Sequence, residues 1–423
     1  MKKKLGIGAI TLLVFVLALS QPSLSQTTES AMVTVNFNQP TTPVKSQSGF
    51  LYGIDATRPP DSLIKPLQPN LWRTSRLDLY PRITGLGSQF QLILSDTWGY
   101  GSPMGWPYEN YLKWEDHVRQ LARQNKDKLI LWDVWNEPDL SNPFWGGTRE
   151  QFFETYKRAY QVLRQELGSG AVIGGPSFSK FSASDLKAFL DYCLAQGLEV
   201  NFLSWHELND YDIAAISDRI TFARQNFLSN PLYRPLKIQK LYTNEIVGPL
   251  AQYQPGDVIG YLSETESSDG SAKACWEPLQ GGINNCFNNA LDGLISPDDL
   301  FNRRAVWWAY KYYADGVGQR IKSQSSSVRV PVLASKSGQV LFGYMMSGFS
   351  PTKAKITLDL RDVNAIAPGK PLTMTILKIP NSGESATEYL PVVLSIPIPP
   401  LVTSFTWTIQ GVNLHEGYLV SVN

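Results

Sequence analysis

Between Gly49 and Ile321 the chain alternates short apolar runs with amphipathic stretches, and no other feature of the sequence constrains the fold as strongly. Repeated strand-then-helix units specify a parallel sheet, because each connection must carry the chain back across the sheet before the next strand starts. The runs that read as strands are Gly49–Asp55, Leu71–Ser75, Phe90–Asp96, Lys128–Glu137, Ala171–Pro176, Val200–His206, Lys237–Glu245 and Ala272–Trp276. Thr148 and Gln151 form a capping box ahead of Phe152, Tyr156, Ala159 and Leu163, which predicts a helix over roughly Thr148 to Leu167. Ser296 and Pro297 are expected to open the last helix, with a stripe of Phe301, Ala305, Trp308 and Tyr312 facing the sheet. Eight units in roughly 270 residues match a closed (β/α)8 TIM barrel over residues 49–321. A doubly wound open sheet is the runner-up, but the first strand–helix junction carries no dinucleotide glycine fingerprint.

After Ser323–Ser327 the texture changes to period-two runs broken by Pro and Gly, which predicts a C-terminal β-sandwich over residues 322–423. Of the 12 tryptophans only Trp407 falls there, so the aromatic surface is concentrated in the barrel. Ahead of the barrel, in residues 26–48, Met32–Phe37 is an isolated alternating strand that is expected to pair with the sandwich.

Lys2, Lys3 and Lys4 precede an apolar run from Leu5 to Leu19, with small residues at Ser23 and Ser25. This is the layout of a secretory signal over residues 1–25, and it implies a secreted or periplasmic protein with no membrane span after cleavage. A spanning anchor would need about 20 apolar residues. In an oxidising compartment Cys275 and Cys286 are expected to bond across an Asn- and Gly-rich loop, while Cys193 reads as a buried free thiol.

The 38 Lys and Arg balance 37 Asp and Glu, so there is no basic surplus to attract nucleic acid. His117, His206 and His415 lie far apart, as do the cysteines, and no phosphate-binding glycine loop is present; neither metal nor cofactor is expected. The residues to inspect are therefore polar side chains at the carboxyl ends of strands, where a parallel barrel places its site. Strand four runs from Leu129 through Trp135, Asn136 and Glu137 to Pro138, and strand seven from Ile238 to Asn244 and Glu245. Two carboxyl groups facing one cavity are what glycoside cleavage requires: one protonates the leaving oxygen and the other meets the oxocarbenium-like carbon.

Trp135-Asn136-Glu137-Pro138 resembles the strand-four motif of clan A glycoside hydrolases, and Tyr242-Thr243-Asn244-Glu245 sits where that clan keeps its nucleophile. With Asp139-Leu140, Phe144-Trp145, Val172–Pro176 and Phe202–His206 following in order, the set most resembles glycoside hydrolase family 39, the β-xylosidase and α-L-iduronidase group. The resemblance implies a retaining hydrolase of oligo- or polysaccharides, with Glu137 as general acid/base, Glu245 as nucleophile, and their carboxyls about 5–5.5 Å apart. It assigns Asn136 to the sugar 2-hydroxyl and Arg73, with Arg76 as alternative, to holding the nucleophile ionised. His206 becomes a polar ligand or a satisfied core histidine, and Trp276 a platform under the sugar or core packing. Trp98, Tyr100, Trp106 and Trp145 lie in loops on the same face, where flat aromatics suit stacking on sugar rings.

Two departures stand out. The family shows a tyrosine two residues after the strand-six histidine; here Glu207 and Leu208 follow, leaving Glu207 or Tyr211 as the candidate replacement, or none. The segment Ile246–Ser271 carries Glu264, Glu266 and Asp269, read either as an acidic substrate loop that disfavours uronic sugars or as a solvated loop. A catalytically silent carbohydrate-binding protein is the competing function, and an extracellular assembly protein a third; the intact Glu137 and Glu245 pair favours catalysis.

Overall fold

The computed structural model describes residues 28–41, 45–101, 103–348 and 351–423. The expected signal over residues 1–25 lies outside the described residues, among which no helix is long and apolar enough to cross a membrane.

Strand β1, Glu29–Pro40, comes first and belongs to the C-terminal sheet. The barrel follows: β2 Gly49–Leu51, β3 Leu71–Thr74, β4 Gln89–Ile93, β5 Ile130–Asp133, β6 Val172–Phe178, β7 Phe202–Glu207, β8 Lys240–Ile246 and β9 Gly270–Lys273. They pair in parallel in sequence order, and Phe50 beside Lys273 closes the circle. Strands such as β3 are buried along their whole length, which is why they read as continuous apolar runs and not as alternating ones. The helix Arg149–Leu167 starts where its capping box places it: Thr148 Oγ1 accepts from the Gln151 amide, and the Gln151 side chain accepts from the Thr148 amide.

Strands β10 Arg320–Ser325, β11 Val332–Ser335, β12 Gln339–Gly343, β13 Lys353–Arg361, β14 Leu372–Ile379, β15 Val392–Ile398, β16 Ser404–Asn413 and β17 Gly417–Val422 join β1 in one nine-stranded sheet. Its order is β15-β14-β17-β12-β11-β10-β1-β13-β16, antiparallel except where β1 runs parallel to β13. Leu360 on β13 and Met374 on β14 share one buried cluster although five strands lie between them in that order, so the sheet folds over its own core as a sandwich does. It docks on the barrel through the helix Pro255–Glu264: Asp257 is buried, accepts from the Met346 amide at 2.6 Å and contacts His415 Nδ1 at 2.6 Å.

Four expectations about elements are corrected. Strand four ends at Asp133 and not Glu137, and strand eight at Lys273 and not Trp276; the motif residues beyond them occupy loops over the barrel mouth. The last helix is Ala305–Asp315, because Ser296–Arg304 instead closes a turn in which the Ser296 amide donates to Asn302 O at 2.8 Å and its hydroxyl to Asp298 at 2.7 Å. The acidic segment is no free loop: its middle is the helix Pro255–Glu264, and its acids are spent on Ser217 (Glu264), Arg320 (Glu266) and Lys240 (Asp269).

Candidate active site

Arg73 projects from β3 into the barrel and is fully buried, so its charge must be matched locally. Its Nε and Nη2 donate to Asp133 Oδ2 at 3.0 and 2.8 Å, Nη2 also to Asn136 Oδ1 at 2.8 Å, and Nη1 to Glu245 Oε1 at 2.5 Å. Beneath this fork lies a closed polar layer: Asn244 Nδ2 donates to Ser177 Oγ at 2.8 Å, Ser177 Oγ to Asp133 Oδ1 at 2.7 Å, and Gln91 Nε2 to Asn244 Oδ1 at 3.1 Å. A network of this kind locks the rotamers above it, although Gln91 Oε1 is buried without a partner among the described residues.

Glu245 lies within β8, where a register shift beside Trp205 and His206 brings His206 opposite it. Glu137 lies past the end of β5 with φ 53°, as does Ser177 past Pro176 with φ 52°. A left-handed residue with a side chain costs about 1–3 kcal/mol unless its surroundings hold it, and here the Glu137 amide donates to Ser177 O at 2.9 Å while Pro138 follows. The strain turns Glu137 across the mouth toward His206, whose Nδ1 lies 3.0 Å from Glu137 Oε1 and 3.7 Å from Glu245 Oε2. Glu137, His206 and Glu245 each present one polar atom within 4.8 Å of the others. That spacing would also accept a cation, but Arg73 already sets a positive charge 2.5 Å from Glu245, and Coulomb repulsion opposes a second.

The three groups titrate as a unit. Burial pushes Glu245 above the ordinary carboxylate range, opposed by His206 and Arg73. Burial also acts to raise Glu137, but the hydrogen bond and charge of His206 outweigh it and hold Glu137 below its usual value. His206, which burial alone would depress, is raised by Glu245 and Glu137. One proton is thus held between Glu137 and His206, with His206 Nε2 buried and without a partner among the described residues.

Of the other expected residues, Asn136 is in place, its Oδ1 on Arg73 and its backbone amide on Ser95 Oγ at 3.1 Å. Trp276 is half-buried in the loop after β9, its indole N–H bonded at 2.9 Å to the carbonyl of Val247, two residues past Glu245. Arg76 is turned away and paired with Asp78 at 2.6 Å. Trp98 is 2% exposed and part of the core, edge-on to Trp114 with its N–H on Gly105 O; Trp145 is 4% exposed, packed between Trp106 and Trp135 with its N–H on Thr148 O, and also lines the cavity beside Pro138. Glu207 does not replace the family tyrosine, since its carboxylate is taken by Trp205 Nε1 at 2.7 Å and Arg219 at 2.6 Å, and Tyr211 is 55% exposed. Cys275 and Cys286 are bonded, and Cys193 is free and buried.

Sequence reasoning missed Asp133, Ser177, Asn244 and Asp96. An Asp inside the run Leu129–Trp135 was a readable signal, because a carboxylate is not buried among apolar residues without a cationic partner. A cavity of about 700 Å³ is lined by Gln89, Ile130 and Val172 at the amino ends of strands and so lies at the end of the barrel away from the glutamates. Two others open at the mouth: one of about 660 Å³ beside Pro138, and one of about 500 Å³ beside Tyr52 and Asp96.

The family model for glycosyl hydrolases family 39 matches residues 101–239, and over that stretch the chain is family 39-like. A β-xylosidase of Caldicellulosiruptor saccharolyticus is 32% identical over 110 residues, 24% of this chain and 22% of that protein, so the chain aligns with less than a quarter of that relative's length. Among solved structures, N2152 from Neocallimastix frontalis superposes with TM-score 0.74 at 19% identity, covering 93% of this chain and 99% of that one. A monomeric β-xylosidase from Caulobacter crescentus CB15 gives TM-score 0.62 at 13% identity, covering 93% and 99%. These likenesses show the fold: a TIM barrel with an appended β-sandwich.

Proposed function

We propose that the protein is an exported, retaining glycoside hydrolase that cleaves O-glycosidic bonds of an oligo- or polysaccharide, with β-xylosides as the first substrates to test. The observation that carries this reading is the approach of Glu137 and Glu245 oxygens to within 4.8 Å at the barrel mouth. An inverting pair stands about 6.5–9.5 Å apart to admit a water, whereas a retaining pair stands about 5–5.5 Å apart so that one carboxylate attacks directly. The partial match to β-xylosidases supports the sugar.

Glu245 Oε1 is held by Arg73, which leaves Oε2 as the attacking oxygen. In the first step Oε2 bonds to the anomeric carbon as the bond to the leaving oxygen breaks, and Glu137 passes its proton to that oxygen. In the second a water attacks the anomeric carbon, gives its proton to Glu137, and frees the Glu245 carboxylate. His206 carries the shared proton between turnovers and returns it to Glu137 as the leaving oxygen departs, and Asn136, fixed by Arg73, offers its amide Nδ2 to the 2-hydroxyl, a bond that strengthens toward the transition state.

The test is hydrolysis of aryl β-xyloside, β-glucoside, β-galactoside and α-arabinoside by protein from Gln26 onward. Glu245→Gln should abolish turnover, and Glu137→Gln should slow poor leaving groups far more than good ones. Full activity of Glu245→Gln would overturn the assignment. For export, amino-terminal sequencing of protein recovered outside the cytoplasm should begin at Gln26, and a mature chain starting at Met1 would refute it.

A further inference from the structure

The mouth of the barrel has two sides. Glu137 gives its proton to the leaving oxygen, which places the leaving group toward Pro138 and the cavity of about 660 Å³ beyond it. Across the mouth, the carboxyl ends of β2, β3 and β4 and the loop behind the Cys275–Cys286 bond enclose the separate cavity of about 500 Å³.

Asp96, a carboxylate supported only by hydroxyls, lines it, and Asp55 and Arg76 complete the charged part of the lining. Tyr52 donates to Asp96 Oδ2 at 2.6 Å, Tyr100 donates to Oδ1, and Ser95 Oγ lies 3.1 Å from Oδ1. The same Ser95 Oγ accepts from the Asn136 amide at 3.1 Å, which ties Asp96 to the residue that faces the sugar 2-hydroxyl. An ionised carboxylate only accepts hydrogen bonds, and Oδ2, with Tyr52 as its one described donor, keeps a lone pair for another. Above it Phe287 is 69% exposed, its ring centroid 6.0 Å from that of Tyr52 and tilted by 45°. Phe287 follows Cys286, whose carbonyl accepts from Gly53 at 3.1 Å and whose sulfur is bonded to Cys275, so the ring is held at the rim.

We propose that Asp96 is the sugar-specificity residue of this site: its carboxylate accepts a hydroxyl of the glycone, Phe287 covers the apolar face of the ring, and the pocket takes a neutral pyranoside while rejecting a glycuronide. A hydroxyl donor suits the spare acceptor, and a sugar carboxylate would meet Asp96 and Asp55 with like charge, while Arg76, the cation of the same lining, is already paired with Asp78 at 2.6 Å. The side of the mouth assigned to the glycone rests on the retaining-hydrolase reading; the binding chemistry does not.

The test pairs kinetics with direct binding. The kcat/KM for an aryl β-D-xyloside and the dissociation constants for methyl β-D-xyloside and methyl β-D-glucuronide, by isothermal titration, are measured for wild type, Asp96→Asn and Phe287→Ala. Asp96→Asn keeps size and shape, and Phe287 is exposed enough for its truncation to leave the fold intact. Wild type should prefer the xyloside; Asp96→Asn should weaken xyloside binding about tenfold to a hundredfold, the loss expected for one charge-assisted hydrogen bond. The same change should narrow the preference over the glucuronide at least about tenfold, which a purely structural role would leave unmoved, and Phe287→Ala should weaken both sugars. An active wild type with unchanged affinities in Asp96→Asn overturns this inference and leaves the hydrolase standing. Binding that depends on Asp96 without any turnover keeps the pocket and removes the hydrolase; a folded wild type that binds neither sugar overturns the pocket.

Discussion

Replacing Arg73 by lysine keeps one positive charge but exchanges a planar fork for a single ammonium. The fork reaches Asp133 at 2.8 and 3.0 Å, Asn136 at 2.8 Å and Glu245 at 2.5 Å, and one ammonium on a shorter stem cannot hold both carboxylates. Asp133 is fully buried whereas the Glu245 side chain is 11% exposed, so the lysine stays with Asp133 and Glu245 loses its cation. A charge-assisted hydrogen bond is worth about 1.5–3 kcal/mol, and stability in urea should fall by that amount. Losing a neighbouring opposite charge shifts a carboxyl by about 1–3 pH units. The sign follows from the chemistry: Glu245 must be ionised to attack, its pKa already lies above the ordinary value, and losing Arg73 raises it further. The acidic limb of kcat/KM against pH should therefore move to higher pH by about one unit or more in Arg73→Lys. An acidic limb that stays in place while stability falls would show that Arg73 serves the fold and not the ionisation of Glu245. Arg73→Met, which leaves both carboxylates without a cation, should cost about 3–5 kcal/mol.

Three further outcomes are expected. Two sites bind one proton at least as tightly as either alone, so His206→Asn should shift the basic limb of the pH profile to lower pH; an unmoved limb would place the proton elsewhere. Reducing the Cys275–Cys286 bond, which spans 11 residues, should destabilise the protein by about 3 kcal/mol on the chain-entropy model, while free thiol at both positions in unreduced mass spectra would show the bond does not form. Glu207→Gln should lower stability, because it weakens the Arg219 pair, yet leave kcat within about threefold; a hundredfold loss would return Glu207 to the nucleophile's surroundings.

The barrel was legible because parallel strands buried on both faces spell continuous apolar runs, and because Thr148 and Gln151 punctuate the longest helix locally. Glu137 and Glu245 were legible because a carboxylate terminating such a run has nowhere to go but the barrel mouth. What failed depended on contacts that the apolar pattern does not spell. Trp98 and Trp145 sit in strand–helix loops like ligand-stacking aromatics, but their indole N–H groups bond to nearby carbonyls, which lets the rings sink into the core. Glu264, Glu266 and Asp269 resembled a loop cluster until Ser217, Arg320 and Lys240, from three other segments, claimed them one by one. Asp96 escaped notice because its importance comes from Tyr52 on the preceding βα unit but one, a contact created by the side-by-side pairing of β2, β3 and β4.

The most direct test of the assignment of Glu245 as nucleophile is the anomeric configuration of the first-formed sugar, followed by proton NMR as wild-type enzyme hydrolyses an aryl glycoside before mutarotation. Displacement by Glu245 and then by water inverts the anomeric carbon twice, so the first signal should be that of the retained anomer. Initial appearance of the opposite anomer would contradict the covalent intermediate and, with it, the reading of two carboxylates within 4.8 Å as a nucleophile beside its acid.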